Sequence, residues 1–331
     1  MYSPALTGIV IMQRENAHMF LTGPRVVQAV TFEEIAAAEL GGAAVHSRQS
    51  GVAHLVADNS EDALNLARTV LSYLPSSYWD RPPMGVPADA QPMPTLPSSP
   101  REAYDVRQVI RGVVDADSFL ELQPQFARNL VIGLARIEGT AVGVVANQPQ
   151  ALAGVLNIAS SEKGARFVRM CDAFGLPLVT LVDTPGFLPG RGQESGVIRK
   201  GAKLLYAFAE ATVPRVTIVL RKAFGGAYIV MNSKSLGADA VFSWPEAEMA
   251  VMGAEDAIDV IFRSALAEDP TQREKLVETY RREAMSPTIG AERLSVDEII
   301  APYETRQAAG SALRALERAV RPEFRHDNLP Q

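Results

Sequence analysis

A pair of glycines followed by an alanine is the clearest place where this chain could do chemistry. Gly225-Gly226-Ala227 follows the apolar segment 216–220 and precedes a helical pattern. Glycine lets the backbone approach a ligand closely, and N–H groups at a helix N-terminus have no intrahelical acceptor. Together they can form an oxyanion hole without a catalytic side chain. Spacing alone leaves open a tight strand–helix turn in which the glycines serve only packing.

Side chains that usually carry catalysis show no recognised pattern elsewhere. His-Glu-x-x-His, Gly-x-Ser-x-Gly and Cys-x-x-Cys motifs are absent from the sequence. The histidines are His18, His46, His54 and His326. His46 and His54 have no nearby Cys or Glu at the spacing of a metal site. The sequence therefore predicts structural or exposed histidines and no metal, and it places Cys171 on the apolar stripe of a helix, in the core.

The elements around the glycine pair alternate between strand and helix. Residues 130–146 predict two strands about a turn at Glu138-Gly139, and 178–182, 216–220 and 240–243 predict further strands. Helical patterns cover 160–174, 197–209, 227–236 and 254–263. The predicted apolar face of the second helix consists of Ile198, Ala202, Leu205 and Phe208. Strands that alternate with crossover helices indicate an α/β architecture.

Proline divides the chain. Seven of the 22 prolines fall between residues 80 and 100, and such a segment favours extended, helix-free backbone. We therefore predict a linker at 81–100 between an N-terminal piece, 1–80, and a larger domain, 101–331. A long surface loop inside one domain is the alternative.

Composition excludes several classes of protein. The 331 residues carry 32 Lys plus Arg against 38 Asp plus Glu, a net charge of −6, which disfavours a nucleic-acid partner. The longest charge-free stretch, 139–161, is interrupted by polar residues and is no membrane span. One cysteine fits a reducing compartment. With no recognisable signal peptide, we expect a cytoplasmic protein without a membrane partner.

A short internal repeat links the two ends of the chain. Residues 247–253 (AEMAVMG) match residues 17–23 (AHMFLTG), and Val260 then matches Val30. Upstream, Tyr228 pairs with Tyr2 if the later copy holds four extra residues. The counterpart of Gly225-Gly226 would then precede Met1.

Further motifs occur in a fixed order. They are Tyr104-Asp-Val-Arg107, Val145-Ala-Asn-Gln-Pro149, Asp183-Thr-Pro-Gly-Phe-Leu-Pro-Gly190, Gly201-Ala-Lys-Leu-Leu-Tyr206, Glu210-Ala-Thr-Val-Pro214 and Ala250-Val-Met-Gly253. With the glycine pair, they make the chain resemble the carboxyltransferase β subunits of biotin-dependent acyl-CoA carboxylases, the propionyl-CoA and acetyl-CoA carboxylase group. The resemblance runs from Tyr2 to about Arg306.

The resemblance implies a fold and an activity. The family has crotonase-like (ClpP/crotonase) domains, a superhelix of β-β-α repeats, and moves CO2 from carboxybiotin on a carrier protein to the α-carbon of a short acyl-CoA, acetyl- or propionyl-CoA. Residues 1–80 would be the remnant of the N domain, on the acyl-CoA side. Residues 101–331 would be the complete C domain, on the biotin side. The active site would lie between the N domain of one subunit and the C domain of another.

The resemblance also implies site residues and partners. Gly226 and Ala227 would be catalytic by holding the ureido oxygen of carboxybiotin, and Gly225 and Phe187 would complete the biotin-binding set. Ile229 would help to choose the acyl chain. Biotin and acyl-CoA are the implied cofactor and substrate, without a metal. The implied partners are a biotin carboxylase/biotin carboxyl carrier α subunit and further copies of the full-length chain, as a hexamer.

Two departures from the family pattern qualify the expectation. Asp256 stands where a small residue is usual, and family members carry a substantial segment before the motif that here is Tyr2-Ser-Pro-Ala5. We expect a start site assigned too late or a truncation, and negligible turnover by the chain alone. A malonyl- or methylmalonyl-CoA decarboxylase subunit and an inactive assembly subunit are the alternative functions.

Overall fold

The computed structural model describes residues 4–77, 79–99 and 102–316. Tyr2 and the end of the predicted second domain, 317–331, lie outside the described residues, as does His326. The strands of the described part are β1 (Ile11–Gln13), β2 (Leu55–Ala57), β3 (Leu120–Leu122), β4 (Leu130–Ile137), β5 (Thr140–Asn147), β6 (Leu178–Thr184), β7 (Arg215–Phe224), β8 (Ala240–Ser243), β9 (Glu248–Ala250) and β10 (Glu298–Ile299).

Helices connect and cover these strands. The α-helices are α1 (Pro24–Thr31), α2 (Ala37–Gly41), α3 (Ala43–Arg48), α4 (Ser60–Leu71), α5 (Val106–Val113), α6 (Ile158–Phe174), α7 (Arg191–Glu194), α8 (Val197–Glu210), α9 (Gly225–Val230), α10 (Ala254–Ile261), α11 (Arg263–Glu268), α12 (Arg273–Ala284), α13 (Pro287–Glu292) and α14 (Thr305–Ala315). Short 3-10 helices occur at Pro4–Leu6, Leu152–Gly154, Lys234–Leu236, Pro270–Gln272 and Pro302–Glu304.

The main sheet has the strand order β10-β8-β7-β6-β5-β4-β3, and β9 extends it beside the end of β7. Strands β5 to β8 are parallel, whereas β3, β4 and β5 are antiparallel. The predicted turn between β4 and β5 is confirmed. Glu138 and Gly139 both adopt positive φ, 51° and 82°, as a two-residue hairpin requires. The predicted α/β architecture is also confirmed.

The sheet separates two apolar layers. Helices α6 and α8 cover one face, where Phe167 and Leu204 join the larger core cluster. Helices α5 and α14 cover the other, where Ile110 and Leu313 join a second cluster. Strand β6 is buried along its whole length, as expected for a parallel strand covered on both faces. Cys171 is fully buried in the core, as predicted.

The predicted apolar face of α8 is wrong, because only Phe208 of its four predicted residues is buried. The side of α8 that is buried consists of Val197, Gly201, Leu204, Ala207 and Phe208. Ile198 is 76% exposed and Leu205 is 37% exposed. The helix is therefore rotated about its axis relative to the predicted orientation, and a contact with a residue outside the helix explains this rotation. A Cβ atom on Gly201 would lie only 3.1 Å from the Phe187 ring, so the bare backbone at Gly201 turns toward that ring.

Residues 81–99 are free of helix and strand, as predicted, but they are fastened to the structure that follows. The N–H of Gly85 donates to the Gly139 carbonyl (2.8 Å), and Arg136 Nη1 donates to the Pro83 carbonyl (2.7 Å). Before this segment, Leu55 and Tyr73 belong to the same core cluster as β4 and α6. The domain division at 81–100 stays a prediction.

The internal repeat has a structural counterpart that is longer than its sequence match. Helices α1 and α10 each have eight residues and follow the matched glycines, Gly23 and Gly253. The N–H of Met19 donates to Gly41 (2.8 Å), and that of Met249 donates to Met285 (2.9 Å). Downstream, β1 pairs in parallel with β2 as β8 pairs with β10. The pairing of Tyr228 with Tyr2 stays a prediction.

No helix in the described ranges is long and apolar enough to cross a membrane.

His54 is a buried polar group in the N-terminal part. Its Nδ1 accepts the N–H of Val10 at 3.1 Å. Burial, helped by the charge of Arg166, lowers its pKa from the ordinary 6.5 to about 4. The folded protein therefore keeps this imidazole neutral at pH values where an unfolded chain protonates it.

This difference predicts an acid-dependent loss of stability. Between pH 6.5 and 4 the unfolded chain binds a proton that folded His54 does not, so stability falls as the pH drops. From pH 7 to 4.5 the His54 contribution is about 2 kcal/mol. His54→Asn keeps an acceptor for Val10 but cannot titrate, so urea unfolding should show a flatter pH profile for this variant. Parallel profiles would contradict the prediction.

Candidate oxyanion site

Strand β7 runs directly into α9 at the glycine pair. The strand continues to Phe224, four residues beyond the predicted end, and α9 begins at Gly225 rather than at Ala227. The predicted helix end at residue 236 is wrong, because α9 ends at Val230 and a separate 3-10 helix covers Lys234–Leu236. Asn232 explains the break, since it adopts a left-handed φ of 61° and its amide donates to Thr217 Oγ1 (2.8 Å).

The two glycines meet different steric conditions. Gly225 has φ +59°, and a Cβ atom there would lie 2.9 Å from the Val251 carbonyl oxygen. At Gly226 the nearest contact of a Cβ atom would be 3.8 Å, to Cε2 of Phe187, and the residue is exposed. Packing and backbone conformation therefore explain glycine at 225 but not at 226. The bare surface at Gly226 favours a ligand-facing turn over a purely structural one.

This bare surface is accompanied by backbone N–H donors for which the described residues supply no acceptor. The N–H groups of Gly226 and Ala227 lie in the first turn of α9, where helix geometry supplies no acceptor. Phe224 is the N-cap residue, and its side chain makes no capping hydrogen bond. Two adjacent donors beside an exposed glycine can stabilise negative charge on a ligand oxygen. This is the chemistry that the spacing predicted for the turn.

Phe187 lies against the glycine turn. Its ring lies between Gly226 and Gly201. Cε2 is 3.8 Å from the position of a Cβ atom on Gly226, and Cζ is 3.1 Å from that of a Cβ atom on Gly201. The ring is half-buried, so part of it is open to solvent. The structure thus brings Phe187 together with Gly225, Gly226 and Ala227. A role in biotin binding stays a prediction.

Ile229 lies on α9 just beyond the turn and is 43% exposed. This exposure shows that Ile229 is not a core residue. Its neighbour Val230 is buried, as expected for the side of a short helix that faces the sheet. An effect of Ile229 on acyl-chain choice stays a prediction.

A buried ion pair holds the strand ends beneath the turn. Asp183, at the end of β6, is 1% exposed and accepts hydrogen bonds from Arg221 Nε and from the N–H of Lys222, both at 3.1 Å. Arg221 lies over the Tyr104 ring at 5.0 Å and donates to the Glu102 carbonyl (2.9 Å). Burial raises the pKa of Asp183, while the charge of Arg221 opposes that rise.

Sequence reasoning gave this pair no role. Asp183 and Arg221 each follow a fully apolar strand segment, and a charged residue at the buried end of such a strand needs a partner. This rule could have predicted from the sequence that Asp183 and Arg221 pair.

Structural contacts explain two of the histidines, His46 and His54. His46 Nε2 donates to the Met19 carbonyl oxygen at 2.6 Å, and its Nδ1 lies 2.8 Å from Ser50 Oγ. With the buried His54, this agrees with the predicted structural histidines. In the part of the chain that the structure covers, no group of three or more His, Cys, Asp or Glu residues could hold a metal ion.

The fold is that of an α/β protein with a candidate oxyanion site at the glycine turn, and this combination suggests a crotonase-like carboxyltransferase. A family model described as the carboxyl transferase domain matches residues 1–329. The chain belongs to this family, and the predicted resemblance and crotonase-like fold are confirmed.

Individual proteins similar to this chain support the same family. The chain is 48% identical to the propionyl-CoA carboxylase carboxyltransferase subunit of Haloferax mediterranei, over 99% of this chain and 66% of that protein. It is 46% identical to a biotin-dependent acetyl-/propionyl-coenzyme A carboxylase β5 subunit of Mycobacterium tuberculosis, over 99% of this chain and 64% of that protein.

A solved structure is similar to this chain in both sequence and fold. Transcarboxylase 12S with methylmalonyl-coenzyme A and methylmalonic acid bound, described as a hexamer assembly, is 46% identical with a TM-score of 0.92. The match covers 98% of this chain and 64% of that one. The chain therefore spans slightly less than two thirds of the length of these relatives.

The steric difference between the two glycines predicts different costs of the same substitution. Gly225→Ala forces a left-handed residue against the Val251 carbonyl, so unfolding in urea should show a loss of roughly 1–3 kcal/mol. Gly226→Ala, the matched control, meets only an ordinary contact and should change stability by less than about 0.5 kcal/mol. Equal effects at the two positions would show that the turn has a different backbone conformation.

Proposed function

We propose that this chain is the carboxyltransferase component of a biotin-dependent acyl-CoA carboxylase and that residues 101–331 form its biotin side. The observation that carries the proposal is Gly226, an exposed glycine that packing does not require, at the start of a helix with unused N–H groups. The family membership and the propionyl-CoA carboxylase relatives support the assignment of the reaction.

The site suits a ureido oxygen. Donors on Gly226 and Ala227 can stabilise negative charge on that oxygen, while the missing side chain at 226 leaves room for it to approach. Gly225 sets the backbone conformation that presents these donors, and the Phe187 ring forms an apolar wall beside them. Biotin carries the carboxyl group in this family. The chain's own part is to bind and polarise, which needs no catalytic side chain or metal.

Partners and context complete the proposal. The acceptor is a short acyl-CoA, acetyl- or propionyl-CoA, and residues 1–80 belong to a domain on the acyl-CoA side. The chain works with a biotin carboxylase/biotin carboxyl carrier subunit in the cytoplasm, as a homo-oligomer. The hexamer described for transcarboxylase 12S supports a six-subunit assembly.

The test is carboxyl transfer by the full-length chain, which includes the segment that family members carry before Tyr2, assembled with its biotinylated partner. Radiolabelled bicarbonate, ATP and acetyl- or propionyl-CoA should give acid-stable label in malonyl- or methylmalonyl-CoA. CO2 release from those products, with no incorporation, would instead identify a decarboxylase subunit. Absence of both reactions would identify an inactive assembly subunit.

Gly226→Val should abolish most of this transfer and leave the fold intact. The valine side chain occupies the space where the ureido oxygen approaches and keeps that oxygen from the N–H donors, and loss of one oxyanion hydrogen bond typically costs about 10²–10³ in rate. The measurement is kcat with saturating acyl-CoA, beside circular dichroism and urea unfolding. The matched control is Leu71→Val, since Leu71 is an exposed residue on α4. Near-normal turnover of Gly226→Val would remove this glycine from the mechanism.

Ile229→Asp should shift the choice of acyl chain. The full-length enzyme should carboxylate both acetyl-CoA and propionyl-CoA, since one methylene in an apolar pocket contributes only about 1–3 kcal/mol. The resemblance associates aspartate here with selectivity for propionyl-CoA, so the ratio of kcat/KM should move toward propionyl-CoA. Because Ile229 is partly exposed, aspartate should not disturb the fold. An unchanged ratio would show that Ile229 does not set specificity.

A further inference from the structure

A small cavity lies between one face of α6 and the N-terminal residues. Lys163, Arg166, Phe167 and Met170 of α6 line it at the helical spacing i, i+3, i+4 and i+7, together with His54. The cavity has room for about one water molecule. Among the described residues that line it, three are basic and none is acidic. The candidate oxyanion site uses none of these side chains, so the composition of the cavity needs a separate explanation.

Lys163 brings a positive charge to the cavity. The residue is 3% exposed, and its ammonium donates to the carbonyl oxygens of Gln123 (3.0 Å), Phe126 (2.8 Å) and Leu130 (2.7 Å). Burial lowers the pKa of Lys163 to about 7. The carbonyl groups satisfy the N–H donors but carry no net charge, so an anion nearby would stabilise the ammonium further.

Glu121 is the acidic residue whose charge acts on Lys163, but it is already paired with an arginine. Arg107 Nε and Nη2 donate to the two carboxylate oxygens of Glu121 at 2.6 and 2.7 Å. The charge of Arg107 opposes the effect of Glu121 on the pKa of Lys163. Within the described part of the chain, the positive charge at the cavity therefore has no counter-charge of its own.

Arg166 adds a second charge and a hydrogen-bond donor. Its Nη2 donates to the carbonyl oxygens of Ala5 (2.7 Å) and Thr7 (2.6 Å). Its Nε is buried and finds no acceptor among the described residues. His54 completes the basic lining. Its Nδ1 accepts the N–H of Val10, so the neutral ring carries its proton on Nε2. A buried N–H group without an acceptor is costly, and an anion is the strongest acceptor for it.

We propose that this cavity binds one monatomic anion, chloride, which accepts a hydrogen bond from Arg166 Nε and balances the charge of Lys163. A water molecule would satisfy Nε but would leave the positive charge uncompensated, and larger anions do not fit. The ion would fasten the N-terminal residues to α6, because Arg166 also holds the carbonyl groups of Ala5 and Thr7. The inference goes beyond the proposed carboxyltransferase function and does not depend on it.

Urea unfolding of the full chain at constant ionic strength tests the site in solution. Replacing gluconate, which is too large for the cavity, with about 200 mM chloride should lower the unfolding equilibrium constant at least about three-fold. Arg166→Met should lose this response. The matched control Arg199→Met, at an exposed position on α8, should keep it. Circular dichroism shows whether each variant folds. Arg166→Lys, which keeps the charge but lacks Nε, replaces Arg166→Met if that variant does not fold. A parent that responds to chloride no more than the Arg166 variant would overturn the proposal.

The titration of His54 gives a second readout. The charges that face this ring belong to Arg166 and Lys163, and both lower its pKa. A bound anion favours the protonated ring, so chloride should raise the pKa of His54 from about 4 toward its ordinary value. Nuclear magnetic resonance of the ring C–H groups, in chloride and in gluconate, measures this change. The same pKa in both salts would count against the site.

Crystals grown in sodium bromide test the position of the ion. Bromide scatters X-rays anomalously, so a peak within hydrogen-bond distance of Arg166 Nε should mark it, and the peak should be absent from crystals of the Arg166 variant. Density for a water molecule, without an anomalous peak, would refute the proposal. A peak in crystals of a protein that shows no chloride response in solution would identify an adventitious ion only, and would refute it as well.

Discussion

The buried carboxylate of Asp183 is the contact on which the geometry of the glycine turn depends. It accepts hydrogen bonds from Arg221 and from the backbone of Lys222, where the register between β6 and β7 shifts. Removing one partner of such a pair leaves an uncompensated buried charge, at a cost of about 3–5 kcal/mol. The end of β7 is therefore fixed, and Gly225 begins α9 four residues after Arg221.

The turn divides two tasks between adjacent glycines. Gly225 allows the chain to change direction with a positive φ against the Val251 carbonyl, whereas Gly226 leaves the surface bare. Were both glycines needed for packing, a Cβ atom at 226 would clash, and it does not. The steric contrast is the physical reason to assign a ligand to the turn, and the spacing of residue types could not supply it.

Local patterns predicted strands β4 to β8 and helices α6, α8 and α10, but they predicted the ends and orientations of these elements poorly. Strand β8 and the turn between β4 and β5 follow from alternation and from turn residues nearby. The end of α9 depends on Asn232 reaching Thr217, fifteen residues earlier. The buried side of α8 depends on Phe187 meeting Gly201. The site shows the same limit. Gly225-Gly226-Ala227 is a contiguous motif and could be found from the sequence, whereas the ion pair between Asp183 and Arg221 joins two different strands and could not.

Solvent exposure is the last constraint on the candidate site. Backbone donors stabilise a developing charge most strongly where water is excluded and the local dielectric constant is low. In a single copy, Gly226 is open to solvent and is flanked by Ile229 and by Val251, which are 43% and 79% exposed. Apolar side chains beside a polar site bring no electrostatic benefit while water covers them. They become useful when a second surface covers them, because covering removes the water that competes for the N–H group of the exposed Gly226.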